Sequence, residues 1–317
     1  MYLLRKPILA MSGNSAVRRI VSSAPVTRDV VNRFIAGDTT AEAVASIVGL
    51  RAGGLQVTCD FLGEDTTTAA QAEQTVTAYL ELIGALAAAG CAEGAEMSVK
   101  LSAVGQSLPA SADVPEGGNA LATDAARRIV DAAYAVGARV TLDMEDHTTV
   151  DATLGTLAEL RAEQPDVGIA IQAMLLRTPQ DLAGLIGPGS RVRLVKGAYN
   201  EPETVAHPDP DQVDLAYVRA LKLLMAGEGY PMVGSHDPHL IAIAAQLAKD
   251  NGRGKDSWEY QMLYGIRPEE QTRLAGRGHT VRVYLPYGDD WYGYFTRRLA
   301  ERPANLAFFL RSFLTKK

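Results

Sequence analysis

Near the C-terminus the sequence reads DDWYGYFTRRLAERPAN, in which Tyr294, Arg297, Arg298 and Glu301 fall at i, i+3, i+4 and i+7. On a helix that spacing puts all four on one face. An Arg-Arg pair is more often a solvated surface feature. Here Trp291, Tyr292, Phe295 and Leu299 flank it, so little of the turn reads as exposed. Two planar guanidinium groups side by side make a fork suited to a carboxylate, because each donates in pairs. A second set of chemistry-bearing residues is spread along the chain at the ends of short β-rich runs. It comprises Lys100, Asp143, Gln172, Arg193, Lys196, Tyr199, Ser235, His236, Glu259, Gln261, Tyr264 and Tyr284. Charges within strands are costly unless paired. Any one of them alone reads as a structural ion pair; so many at the same end of successive strands read as a site.

The elements that must position these residues alternate. Runs rich in Val, Ile, Leu or Tyr occur at 55–63, 95–105, 139–146, 169–176, 191–199, 231–236, 257–265 and 280–288, each too short for a comfortable helix. Helical stretches lie between them at 67–90, 119–137, 148–165, 212–229 and 238–252, with Gly90 and Gly137 placed as helix stops. Strands alternating with helices imply parallel pairing through crossovers, and eight such units close a (β/α)8 barrel. The fold class is thus α/β, with an extra N-terminal helix and a last helix that carries the arginine pair. One domain spans 1–317: a lead-in at 1–30, a pre-barrel helix at 31–54 and the barrel at 55–317. Active sites of this fold sit at the C-terminal ends of the strands, where the polar residues above collect.

Bulk properties narrow the function. Hydrophobic residues are 47% and charged residues 21% of the 317, an ordinary globular balance. The net charge of −6 argues against a nucleic-acid partner held by phosphate contacts. The two cysteines, Cys59 and Cys91, make neither a disulfide framework nor a zinc motif, which suits a reducing cytoplasm. The basic N-terminal stretch resembles a weak transit peptide but reads better as an amphipathic lead-in. No run of about 20 apolar residues is present, so nothing spans a membrane. The apolar segment LAFFLRSFLTKK at the C-terminus permits at most peripheral membrane contact and reads first as a helix packed on the barrel.

Other chemistries lack their signatures. His236, Asp237 and His239 form H-D-P-H, but Pro238 disrupts the helical spacing a metal pair needs, and no metal is expected. No GxGxxG follows a strand and no GxSxG is present, which removes a Rossmann site and a serine-hydrolase elbow.

The segments RLVKGAY (193–199) and YLPYGDDWYGYFTRRLAERPAN (284–305), with SVKLS (98–102) and LDMEDH (142–147), resemble those of the bacterial proline dehydrogenase family. The resemblance covers roughly residues 30–315. It implies a (β/α)8 barrel that binds FAD without a Rossmann motif and oxidises L-proline to Δ1-pyrroline-5-carboxylate. It further implies a quinone as electron acceptor and a separate Δ1-pyrroline-5-carboxylate dehydrogenase to take the product. By match to the family motifs, Asp143 and Arg193 are the catalytic positions. Met144, Gln172, Arg193, Val195, Lys196, Gly197, Ser235 and His236 match flavin contacts. Lys100, Arg297 and Arg298 match the carboxylate clamp, and Tyr199, Leu263, Tyr284 and Tyr294 match the pocket walls. Ser235 stands where the family more often has Thr, and the hydroxyl is kept.

The residues themselves leave rivals. A Schiff-base aldolase would use Lys100 or Lys196 as its amine, against which the arginine pair favours a carboxylate over a sugar phosphate. A hydroxyproline dehydrogenase would keep the flavin and change the substrate. A non-catalytic regulatory barrel is the third reading.

Overall fold

The computed structural model describes residues 31–63 and 66–295. Eight parallel strands close into a barrel in sequence order. They are β1 Gln56–Phe61, β2 Glu96–Val99, β3 Arg139–Leu142, β4 Gly168–Gln172, β5 Arg191–Val195, β6 Tyr230–Gly234, β7 Glu259–Leu263 and β8 Val281–Tyr287. Strand β8 pairs back onto β1 over six residues, Gln56 opposite Arg282 through Phe61 opposite Tyr287. All eight strands expected from the sequence are present.

The helices are α1 Thr40–Ala52, α2 Ala69–Ala88, α3 Gly118–Ala135, α4 Val150–Glu163, α5 Thr178–Ala183, α6 Pro210–Ala226, α7 Pro238–Asp250 and α8 Pro268–Ala275. Their starts follow from local chemistry. Thr39 with Glu42, and Thr68 with Gln71, form capping boxes that satisfy the first free N–H groups of α1 and α2. Asp209 and Asp237 cap α6 and α7, each followed by a proline at the first helical position. Gly90 just beyond α2 takes a left-handed φ of 66°, as its place in the sequence indicated.

Two expectations change. The helix leading into β1 is Thr40–Ala52, because its N-cap falls at Thr39; residues 32–39 form a turn and a loop. The run at 95–105 is strand only to Val99 and then a 3-10 turn, Ser102–Val104, whose first N–H is taken by the Glu145 carboxylate at 3.0 Å.

The barrel wall has two unlike faces. Its outer face is apolar: Val57, Cys59, Met97, Val99, Val140, Leu142, Ile169, Ile171, Val192, Leu194, Tyr260, Val281 and Val283 pack under the helices in one core cluster. Each fully buried aliphatic of this kind is worth roughly 1.5–3 kcal/mol. The register aligns a second set on the inner face, including Thr58, Glu96, Ser98, Arg191, Arg193, Glu259, Gln261, Arg282 and Tyr284. This barrel is therefore lined by polar and charged groups where the fold usually stacks branched aliphatics.

A smaller apolar cluster sits at the C-terminal end of the strands. Val31, Phe34, Ile35, Leu62, Ile266, Trp291, Tyr292, Tyr294 and Phe295 pack together, with Leu263 and Tyr284 against them. Backbone bonds from Ala36 to Pro286 (2.9 Å) and from Gly288 to Gly37 (3.0 Å) tie the segment before α1 to the end of β8.

Candidate active site

The inner face converges on Arg193. From β5 its Nη1 donates to Ser98 Oγ at 2.7 Å and to Asp143 Oδ1 at 2.6 Å. Its Nη2 donates to Glu96 Oε1 at 2.7 Å and its Nε to Gln261 Oε1 at 2.6 Å. Four of the five guanidinium N–H groups are thus engaged, and the ring of Tyr284 lies 5.3 Å from its carbon. Asp143, one residue past β3, is the meeting point. Its Oδ1 also accepts from Ser98 Oγ (2.8 Å) and its Oδ2 from Tyr284 Oη (2.7 Å). Lys100, one residue past β2, stands 3.6 Å from Asp143 Oδ2, 2.6 Å from Asp60 Oδ1 and 3.4 Å from Tyr284 Oη.

This electrostatics has a definite sign. Burial would raise the Asp143 carboxyl, but Arg193 and Lys100, with the hydroxyls of Tyr284 and Ser98, hold it below the usual carboxylate value. Tyr284 is pushed far above an ordinary phenol, first by burial and then by the charges of Asp143 and Asp60. It therefore remains the donor in its bond to Asp143.

Lower in the barrel the charges are matched as well. Arg282 grips Glu259 through two bonds, 2.7 and 3.1 Å, and spends Nη1 on the carbonyls of Val57 and Gly94. Gln261 Nε2 donates to the same Glu259 at 2.6 Å.

More candidates stand around this centre at the mouth of the barrel. Gln172 Nε2 donates to the carbonyl of Glu145 at 2.6 Å, while its Oε1, on a residue only 2% exposed, has no partner among the described residues. Ser235 Oγ accepts from the N–H of Asp237 at 3.1 Å. His236 Nε2 accepts from Leu263 N at 2.8 Å, which leaves the ring proton on Nδ1. Lys196 pairs with Asp214 and, at 3.5 Å, with Asp237. Gly197 has a φ of 111°, and a β-carbon there would fall on the thioether of Met174.

Lys100, Asp143, Arg193 and Tyr284 thus come together as a bonded group. Leu263, Tyr284 and Tyr294 share the apolar cluster above it. Met144 and Val195 lie at the ends of β3 and β5. Tyr199 is 40% exposed in the loop after β5. Arg297 and Arg298 lie outside the described residues. His236 and His239 do not converge: Pro238 opens α7 between them, and the His239 side chain is 92% exposed. Among the described residues no group of three or more His, Cys, Asp or Glu side chains is arranged to hold a metal.

Sequence reasoning missed Glu96, Asp60, Arg191 and Arg282. A signal existed. Stepping back two and four residues from Lys100 gives Ser98 and Glu96, and two from Arg193 gives Arg191, the same face of each strand. It also missed the His147–Glu201 pair, whose backbone contact of 3.0 Å joins the loops after β3 and β5.

A model of proline dehydrogenase matches residues 43–311. This chain belongs to the proline dehydrogenase family. Its relatives include Proline dehydrogenase 1 of Bacillus subtilis (strain 168), 37% identical over 99% of this chain and 100% of that one. Another is Proline dehydrogenase of Deinococcus radiodurans, 38% identical over 98% of each. Among solved structures, proline utilization A (PutA) from Bdellovibrio bacteriovorus, inactivated by N-propargylglycine, superposes with a TM-score of 0.78 at 26% identity. That match covers 92% of this chain and 34% of the other. Membership makes the chain an oxidoreductase. In this proline dehydrogenase family member the RLVKGAY segment is the end of β5 and the loop leaving it, and LDMEDH is the end of β3 and its loop.

Proposed function

We propose that the protein oxidises L-proline to Δ1-pyrroline-5-carboxylate with bound FAD and passes the electrons to a quinone. The observation that carries this reading is the Arg193–Asp143–Lys100–Tyr284 group at the C-terminal end of a barrel from this family. Three features of the barrel mouth suit a flavin. Gln172 Oε1 is a buried acceptor with no partner among the described residues, as expected of a group that meets a ligand N–H. Gly197 lets backbone approach where a side chain would intrude. Arg193 supplies a buried cation from the middle of β5, useful where a ring gathers negative charge.

On this reading Met144, Gln172, Arg193, Val195, Lys196, Gly197, Ser235 and His236 hold the cofactor. Lys196 is suited to a phosphate, since its amine lies half-exposed outside the lumen. Lys100, Arg297 and Arg298 hold the proline carboxylate; Leu263, Tyr284, Tyr294 and Tyr199 enclose the ring. Bound there, FAD would supply the acceptor for the hydride that leaves ring C5. The chain's task is then to position that carbon and exclude water. Asp143 is spent on orientation: its two oxygens already accept from Arg193, Ser98 and Tyr284, with Lys100 beside them. A carboxylate so held is a poor proton acceptor, so its catalytic part is to fix Arg193 and Lys100. Lys100 is engaged by two carboxylates, the opposite of the isolated amine that Schiff-base chemistry needs. Among the described residues no helix is long and apolar enough to cross a membrane. We place the enzyme in the cytoplasm with at most peripheral contact where a quinone resides, and its product goes to a separate dehydrogenase.

The test is an absorption spectrum of the purified protein. Flavin bands that bleach under anaerobic L-proline, and much less under trans-4-hydroxyproline, are expected. A colourless protein that takes up no FAD, or flavin indifferent to proline, refutes the reading. Faster bleaching by hydroxyproline would reassign the substrate, and borohydride trapping at Lys100 or Lys196 would restore the aldolase.

A further inference from the structure

Glu96 lies directly behind the guanidinium of Arg193. It is on the inner face of β2, fully buried, and two residues deeper than Ser98 on the same strand face. Its Oε1 accepts from Arg193 Nη2 at 2.7 Å and from Thr58 Oγ1 at 2.9 Å, and its Oε2 faces Arg191 Nη2 at 3.4 Å. Asp143 holds the same guanidinium by Nη1 at 2.6 Å. Arg193 is therefore a cation held by two carboxylates, one at the strand end and one below.

We propose that Glu96 is a positioning residue that fixes the orientation and the effective charge of Arg193, and through it the reducibility of the flavin. This rests on the reading above, in which Arg193 faces the cofactor. A cation beside a flavin favours the reduced ring because that form carries more negative charge. A carboxylate bonded to the far side of that cation cancels part of its field. In a buried site no solvent screens the cancellation. The surroundings keep Glu96 charged: burial pushes its carboxyl up, but Arg282, Arg193 and Arg191, with the Thr58 hydroxyl, bring it down to about 2. Its charge is thus a constant of the site. Its geometry matters equally, since Arg193 Nη2 has Glu96 as its hydrogen-bond acceptor and a shorter side chain would leave that edge loose.

The test uses the purified holoenzyme and two variants. Glu96→Gln keeps an oxygen for Arg193 Nη2 and removes the charge. Glu96→Asp keeps the charge and shortens the reach. The readouts are the flavin midpoint potential, from spectroelectrochemical titration, and kcat and KM for proline. Glu96→Gln should raise the potential, increasing the reduced-to-oxidised ratio at a fixed ambient potential about tenfold, about 30 mV for a two-electron couple. Glu96→Asp should leave the potential near wild type and lower kcat several-fold, with KM little changed, since the carboxylate clamp lies elsewhere. An unmoved potential in flavin-loaded Glu96→Gln overturns the charge role. If Glu96→Gln does not fold, Glu96→Asp decides alone. A raised potential there shows that displacement rather than charge governs the flavin, and an unchanged kcat shows that Arg193 needs no such support; either overturns the proposal. A wild type without flavin would instead sink the functional reading itself, before any variant is compared.

Discussion

Tyr284→Phe removes a single oxygen from the centre of the site and leaves the ring on which Arg193 rests. The lost bond is the 2.7 Å donation from the phenol to Asp143 Oδ2. A hydrogen bond to a charged acceptor is worth roughly 1.5–3 kcal/mol. The acceptor is not orphaned, because Lys100 stands 3.6 Å from the same oxygen while Arg193 and Ser98 stay on the other. The cost therefore belongs at the low end, about 1.5–2 kcal/mol of folding free energy. Asp143→Asn is harsher: it sets an amide against Arg193 and Lys100, and breaking a buried charge pair costs roughly 3–5 kcal/mol. In the double variant the phenol has lost its charged partner, so the two changes should couple by about 1–2 kcal/mol. The assay is urea unfolding of all four proteins at one FAD concentration, since bound ligand shifts apparent stability. A pH series adds a second readout. Asp143 sits below its ordinary value of 3.8 in the folded chain, so its contribution is present above that pH and fades as the pH falls below it. Losing the phenol moves the folded-state value back toward 3.8, so the fading should be smaller and should end at a higher pH. Strictly additive costs, with an unchanged acid profile, would refute the network.

Three further outcomes are expected. Arg282→Met leaves Glu259 buried without its bidentate partner and should cost about 3–5 kcal/mol in urea unfolding; a loss below about 1 kcal/mol would show the pair to be dispensable. Gly197→Ala combines a positive φ with a clash on Met174, and should cost about 2–5 kcal/mol and lower flavin content, read by thermal shift and by the ratio of flavin to protein absorbance. Glu96, at about 2 against an ordinary 4.5, adds stability that is full above pH 4.5 and drains as the pH falls toward 2; Glu96→Gln should flatten unfolding free energy against pH in that window, and an unchanged slope would contradict it.

The barrel was legible because each of eight short runs is followed by a helical or turn segment, and no linker interrupts the repeat. The shorter helices α5 and α8, of 6 and 8 residues, were not, since neither is long enough to show a helical period. Lys100 and Asp143 could be found because each follows the last residue of a short strand, and Arg193 and Tyr284 because each is a polar side chain between apolar neighbours within one. Glu96, Arg191 and Arg282 were obscured by an otherwise sound expectation, that parallel strands are apolar on both faces and that charges at a strand's start face water. Here they face inward and meet one another, a fact that depends on pairings 95 residues apart for Arg191 and Glu96. Tyr199, which its motif groups with the pocket walls, is 40% exposed in the loop after β5.

The unlike faces of the wall bear on how this chain avoids folding wrongly. In a barrel with aliphatics on both sides, a strand that slides one residue along its neighbour exchanges one greasy surface for another and meets little resistance. Here the same slide would push Glu96 or Arg193 beneath the helices and turn Met97 or Leu194 into the ionic lumen. Both errors would be costly at once, and so would the mismatch around the ring, where β8 must meet β1 across six residues to close it. The charged lumen thus holds the alignment: a strand out of step would bury charge under the helices and face aliphatics into the ionic lumen.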